Sequence, residues 1–240
     1  MTQKVLLDNV NHHDLKVVTD YSVEYGDNVN QVLTFPSEFA DIQREYPIFF
    51  RKGAGNGEYQ SVALLGLDRD ENLFLDDRGW NAGYVPAVHA RGPFLIGIQG
   101  ESGNPMIHVD LDNPRVNKSR GEAVFLPHGG NSPYLDRIGN ILRLIHRGIS
   151  VERDMFAAFG TCGLIEPVKV EIKLNDNEQY TIDQYYTVSQ EKLAALDGAQ
   201  LEMLNRAGYL QLAFHVIASL GNVSRLIDMK NRRRLPVAEA

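Results

Sequence analysis

Two short stretches, EYPIFFRKG from Glu45 and RGPFLIGIQG from Arg91, set a proline beside an aromatic residue and follow it with an apolar run. Proline has no amide N–H and clashes with the preceding helical turn, so no regular helix runs through Pro47 or Pro93. The residue before a proline is pushed toward extended backbone. Both prolines therefore read as first residues of strands, where a missing donor is tolerated. The segments ahead of them, FADIQREY and VPAVHAR, each have room for one or two helical turns. The chain thus uses one helix-to-strand connection twice, and the unbroken apolar runs imply strands buried on both faces.

Further strands are expected at KVLL, SVALLGL, NLFLDD and MIHVDL, with DRDE and GESGNP as turns, so residues 1–128 read as β-rich. The stretch 113–131, with three Lys or Arg and one His, two Pro and three Gly, reads as an exposed loop. At Ser132 the period changes. Ser as N-cap, Pro at the first helical position and Asp136 in the first turn open a long helix. Leu135, Ile138, Leu142, Ile145 and Ile149 supply its apolar stripe, Gly148 is a candidate break, and Gly160 or Gly163 a candidate end. VKVEIKL and QYTIDQYYTV around NDNE form the clearest hairpin, with Val168, Val170, Ile172 and Leu174 alternating. Ser189 caps another helix. A last helix from about Ala207 to Met229 carries a stripe of Leu210, Ala213, Phe214, Ile217, Leu220 and Ile227, and KNRRRLPVAEA reads as a frayed tail.

The expectation is an α+β fold over 1–240 as a single unit, with a subdivision into a β-rich 1–128 and a helix-hairpin-helix part, 132–230, as the alternative. A chain of 240 residues, 43% hydrophobic, is long enough to bury a sizeable core. A net charge of −7 argues against a general nucleic-acid binder. The single cysteine, Cys162, excludes an internal disulfide framework and reads as an inert thiol near a helix end. No apolar run approaches the roughly 20 residues of a membrane-spanning helix, so no membrane span is expected. MTQKVLLDNVNHHD lacks the apolar core of a secretory signal, which makes the cytoplasm the default compartment, with signal-independent export left open.

EYPIFF, the block from ALLGL through YVP to PF, SPYLDRI and YLQLAFHVIASLGNVSRLIDMK together resemble the SapC family of bacterial proteins, over roughly Phe35 to Lys230. The resemblance implies a surface-layer-associated or other non-catalytic binding protein with a protein or peptide partner. It supplies no cofactor and no catalytic residue. It also implies a setting beside halogenase-like and cupin-like proteins, hence an accessory role in a modification or uptake pathway as an alternative. A peptide-transport permease that shares the name is excluded as a reading, because such a protein needs several membrane spans.

Three groups of residues could carry chemistry. His108, Asp110, the distal His215 and Arg225 have the residue types and order of an Fe(II)/2-oxoglutarate oxygenase, a His-x-Asp pair plus a distant His. Against it, His215, Ser219, Asn222 and Arg225 share the helix face opposite the apolar stripe, so a solvated face is the preferred reading. Trp80, Tyr84, His89 and Arg91, beside Pro86, could line a ligand pocket, although aromatics next to a proline turn are more often core. Asp68, Asp70, Glu71, Asp76 and Asp77 resemble a calcium-binding turn, but Leu73 stands where an EF-hand loop needs Gly and Gly79 where it needs Glu. A solvated turn is the simpler account there. His12 and His13 with Asp14 read as an exposed polar loop, with a weak metal site as the alternative, and the KNRRR cations as a solvated tail with phosphate or an acidic partner as the alternative.

Overall fold

A computed structural model describes residues 3–53, 55, 57–99, 104–175 and 178–234. The chain opens with β1 (Lys4–Leu6) and β2 (Lys16–Val17), a 3-10 turn at Val23–Tyr25, and β3 (Gln31–Leu33). A second 3-10 turn, Pro36–Glu38, runs into α1 (Phe39–Ile42), followed by β4 (Ile48–Lys52) and β5 (Tyr59–Leu64). The short pair β6 (Leu75–Asp76) and β7 (Gly79–Trp80) precedes α2 (Ala87–Ala90), then β8 (Phe94–Gln99), β9 (Asn104–Asp110), β10 (Val116–Asn117) and β11 (Glu122–Ala123). The second half is α3 (Pro133–Thr161), the hairpin β12 (Ile165–Asn175) and β13 (Glu178–Val188), and helices α4 (Gln190–Ala194), α5 (Gly198–Arg206), α6 (Tyr209–Ser219) and α7 (Asn222–Arg234). This is an α+β fold, its described strand pairs all antiparallel.

Both prolines sit where their chemistry requires. Each follows a single helical turn, α1 or α2, and precedes a strand, β4 or β8. Each joins its sheet through its carbonyl alone: Pro47 accepts from the Leu64 N–H (3.1 Å) and Pro93 from the Asp110 N–H (3.0 Å). β4 becomes a central strand of the five-stranded sheet β12-β13-β4-β5-β3. Ile48, Phe49 and Phe50 are buried, and Phe50 packs edge-on against Phe156 of α3 at 4.8 Å. β8 lies at the edge of a separate sheet, β1-β9-β8; among its described side chains Phe94 is fully buried while Leu95 and Ile96 are half-buried, so the two-faced burial expected after Pro93 is only partial.

Helix α3 serves two hydrophobic clusters. Tyr134, Leu135, Ile138 and Leu142 pack with Phe94, Val109, Val124 and Phe125. Met155, Phe156 and Phe159 pack with β4, β5 and the C-terminal helices. Ser132 Oγ accepts from the Leu135 N–H (3.2 Å), as the sequence implied. Gly163, at φ +64°, ends the helix by letting the Leu164 N–H reach back to the Phe159 carbonyl (2.9 Å). Gly148 does not break the helix. It is the point where α3 touches the chain ahead of α1: a Cβ there would stand 2.4 Å from Phe35 Cβ and 2.5 Å from Ser37 Oγ. Ser37 Oγ donates to the Leu144 carbonyl (2.8 Å) at the same crossing. Between the two clusters the apolar stripe lapses, and Ile149 is 54% exposed.

Other expectations are corrected. NLFLDD is not a full strand. Leu73 and Phe74 are buried in a loop, and only Leu75–Asp76 pairs, with Gly79–Trp80. The stretch 113–131 is not wholly an exposed loop: β10 and β11 flank β2, and Arg115, Val124 and Phe125 are buried. The helix expected from Ala207 is two helices, α6 and α7, meeting at Leu220 and Gly221, with Phe214 exposed and Val216 and Leu226 buried. Taken as one stretch, Tyr209–Arg233 is long and apolar enough to cross a membrane by length and composition: an 18-residue window within it has a mean hydropathy of 1.2, with 22% of that window buried. Helix α7 continues through Lys230 to Arg234, so KNRRR is helical rather than frayed. Residues 235–240 and the 176–177 part of NDNE lie outside the described residues, as do the side chains of Val170, Ile172 and Leu174.

The Gly148 contact predicts opposite outcomes for two similar substitutions in α3. Gly148→Ala forces a backbone-level shift and should cost about 1–3 kcal/mol. At Gly160 an added Cβ would meet nothing within 4 Å, so Gly160→Ala should stabilise by about 0.5–1 kcal/mol through helix propensity. Urea unfolding of the two variants checks both signs.

Candidate functional site

The aromatic and basic residues around Pro86 are drawn together by a carboxylate that the sequence did not single out for it. Glu38 is fully buried at the end of the 3-10 turn. One of its oxygens accepts from Thr34 Oγ1 (2.9 Å) and the Phe35 N–H (3.2 Å). The other accepts from Tyr84 Oη (2.8 Å) and the Ala87 N–H (2.9 Å). Burial raises the Glu38 pKa, and these four donors oppose the rise. Tyr46 Oη donates to the Tyr84 carbonyl (2.5 Å) and accepts from Trp80 Nε1–H (2.8 Å). Trp80 and Tyr84 are thus fastened to the α1–β4 corner through their polar ends. Arg91 donates to the Phe94 carbonyl (2.5 Å), bracing the turn at Pro93.

His89 belongs to a second cluster. Arg115 donates two hydrogen bonds to the buried Asp27 carboxylate, at 2.8 and 2.6 Å. It also donates to the carbonyls of Val18 (3.2 Å) and Asp20, with its guanidinium 5.2 Å from the Tyr21 ring and 4.8 Å from the Tyr25 ring. The pair ties the loop at 113–115 to the segment 18–27. His89 Nδ1 stands 3.6 Å from Asp27 Oδ1, and its ring lies 5.0 Å from Trp80. His89 Nε2 is buried without a hydrogen-bond partner. Burial lowers the His89 pKa to about 4; Asp27 works against that shift, and Arg115 and Arg91 add to it. Beside His89 lies a small cavity of about 180 Å³, also lined by Tyr21, Arg115, Tyr134 and Arg137. Of the four residues proposed from the sequence, Trp80, Tyr84, His89 and Arg91, only His89 lines one of the described cavities.

The oxygenase constellation does not assemble. His108 and Asp110 stand on β9, in the β1-β9-β8 sheet, whereas His215 is on α6, which packs with the five-stranded sheet. Among the described residues, no three His, Cys, Asp or Glu are grouped so as to hold a metal ion. The His108 ring packs over Gly97, where a Cβ would stand 2.4 Å from it, and its Nδ1 is buried without a partner. The face that holds His215 is also not simply solvated. Ser219 is fully buried, its Oγ accepting from the Ile48 N–H (2.9 Å). Asn222 donates to the carbonyls of Gln43 (2.9 Å) and Tyr46 (3.2 Å), and Arg225 pairs with Glu45 (3.2 Å). Ser219 and Asn222 thus serve backbone groups around Pro47 that have no partner in a helix or ladder, and Arg225 meets a side chain of the same turn.

The acidic turn is occupied from within the chain. Lys230 Nζ bridges Asp68 Oδ2 and Glu71 Oε1, each at 2.5 Å, while Glu71 Oε2 accepts from the N–H groups of Leu67 (3.1 Å) and Asp68 (3.2 Å). Arg233 donates to the Leu73 and Leu75 carbonyls at 2.9 and 2.5 Å. Two of the KNRRR cations therefore dock α7 onto the 66–76 loop.

The largest described cavity lies elsewhere. A groove of about 1000 Å³ runs between α3 and the edge formed by β3 and β5, walled by Leu33, Phe35, Tyr59, Ile149 and Phe156 with Glu152 among them. Sequence reasoning missed it because it forms where the α3 stripe lapses at Ile149, and nothing local marks which strands face that lapse.

The sequence profile of the SapC family matches residues 7–226. The chain belongs to the SapC family. No curated protein and no solved structure matches it. The SapC-family region therefore takes in the Glu38 corner, the Asp27–Arg115 pair and the groove.

The depressed His89 pKa carries a pH prediction. Above pH 6.5, His89 is neutral in both folded and unfolded chains. Between 6.5 and about 4 the unfolded chain takes up a proton that the folded chain refuses, so stability falls as the pH is lowered, by up to about 1.4 kcal/mol per unit. His89→Asn should flatten that part of the stability–pH curve, measured by urea unfolding from pH 7.5 to 4.5. Equal slopes in the two proteins would contradict the assignment.

Proposed function

We propose that this SapC-family protein is a non-catalytic binding protein that takes a polypeptide segment of a partner in the groove between α3 and the β3–β5 edge. The observation that carries the reading is the groove itself: at about 1000 Å³ it is several times the other described cavities, of about 180 and 190 Å³. Its volume is that of sites which accept ligands, and its walls combine aliphatic and aromatic side chains with an equal number of polar and charged ones. The non-catalytic half of the reading rests on how the chemically able side chains are used. Glu38 serves four internal donors, Asp27 is held by Arg115, and Lys230 by Asp68 and Glu71. Ser150, the groove's hydroxyl of nucleophile type, donates to the His146 carbonyl one helical turn back (3.2 Å).

Ala157 is exposed on α3 and lines the groove, so Ala157→Trp fills it without entering either hydrophobic cluster. A surface change of this kind should leave stability within about 0.5 kcal/mol. Immobilised wild type and variant are then compared as baits for polypeptides from the source cells, quantified by mass spectrometry. The expected result is a polypeptide retained by wild type and reduced about tenfold or more by the variant, a loss of roughly 1.4 kcal/mol. Equal retention, or none by wild type, contradicts a binding role for the groove.

A further inference from the structure

Among the described residues, Glu152 is a charged group of the groove that the fold answers only in part. It is half-buried and accepts hydrogen bonds from Ser61 alone, the Ser61 N–H at 2.8 Å with the Ser61 hydroxyl beside it. A carboxylate offers about four acceptor positions, so part of its capacity is unused. Among the described residues no cation pairs with it. Its neighbour Arg153 is turned to Asp154, at 3.8 Å, and Lys52 stands instead over the rings of Tyr59 and Tyr186, at 5.9 and 5.6 Å. Burial raises the Glu152 pKa, which is the cost of keeping an unpaired negative charge beside hydrocarbon.

We propose that Glu152 anchors one Lys or Arg of the bound segment, with apolar side chains on either side of that cation packing on Tyr59, Phe156 and Ile149. This rests on the groove being the binding site. Glu152 and Phe156 are one turn apart on the same face of α3, and the Phe156 ring lies 5.6 Å from that of Tyr59. A carboxylate beside aromatic rings is a setting that holds an ammonium or guanidinium both by charge and through the ring faces. Arg153 and Asp154 of the lining offset each other, so the charge of Glu152 faces the bound segment and an acidic segment is repelled. A wholly neutral apolar segment would cover Glu152 and leave its charge unpaired, which is costlier than leaving the groove open. A free amine would satisfy the carboxylate but fill little of a groove of about 1000 Å³.

The test uses a phage-displayed library of random peptides of about a dozen residues, the length of an extended or helical recognition segment. Wild type, Ala157→Trp and Glu152→Gln serve as baits. The Gln variant keeps an oxygen for the Ser61 N–H. Peptides retained by wild type and rejected by Ala157→Trp should carry one Lys or Arg between apolar residues. A synthetic peptide from that set should bind about tenfold more weakly, by fluorescence anisotropy, either to Glu152→Gln or after its own Lys or Arg is changed to Gln, and the two changes together should do little further harm. The change in the peptide reads the same contact without touching the protein's fold. Groove-dependent peptides without basic enrichment, or with affinity indifferent to both changes, would overturn the Glu152 anchor and leave the groove reading standing. A library yielding no peptide that distinguishes wild type from Ala157→Trp would overturn the groove reading, and the anchor with it.

Discussion

A carboxylate with no exposed surface sits at the mechanical centre of the N-terminal half. Glu38 collects hydrogen bonds from Thr34, Phe35, Tyr84 and Ala87, and so joins the end of β3, the turn into α1 and the start of α2. Because such a group is costly to bury unless its acceptors are filled, each of the four donors is held in place by the need to fill them. Tyr84 in turn carries Tyr46, and Tyr46 carries Trp80. The Asp27–Arg115 pair repeats the device one layer out, tying segments 88 residues apart. Buried ion pairs of this kind seldom add much net stability, but losing one partner is severe, which suits them to fixing one loop arrangement among many.

The same principle governs the join between the two ends of the chain. A strand entered through proline leaves backbone groups on either side of the proline without a ladder partner. Here those groups are the Ile48 N–H and the carbonyls of Gln43 and Tyr46, and the α6–α7 joint supplies Ser219 and Asn222 to meet them. The polar face of the C-terminal helices is therefore a docking face. Arg225 on Glu45, Lys230 on Asp68 and Glu71, and Arg233 on the Leu73 and Leu75 carbonyls extend it along α7.

This explains which parts of the fold were legible in the sequence. Pro47 and Pro93 state a helix-to-strand change by covalent geometry alone, Ser132–Pro133 states a helix start, and the turn after Leu174 states a hairpin; all are local signals, and all four elements form. The family was legible too, from EYPIFF through the C-terminal helix. What failed was inference from polarity. Ser219, Asn222 and Arg225 read as solvated because periodicity separates apolar from polar but not polar-and-bonded from polar-and-wet. Arg115, in a Pro- and Asn-rich loop, read as exposed for the same reason. Gly148 read as a helix break because its role, close approach to Phe35 and Ser37, depends on residues more than 100 positions away. His108, Asp110 and His215 had the right types and order for a metal centre, but order along a chain does not bring β9 and α6 together.

On the reading proposed above, the molecule divides into polar clusters that hold the fold and a groove that meets a partner. Amide chemical-shift mapping of the ¹⁵N-labelled chain with a peptide that wild type retains and Ala157→Trp rejects tests that division most directly. The expected shifts concentrate at Tyr59–Ser61 and along Ile149–Ala157, with Tyr21, His89 and Arg115 unmoved. Shifts centred on Tyr21, His89 and Arg115 instead would place the ligand in the small cavity beside Asp27 and contradict the division.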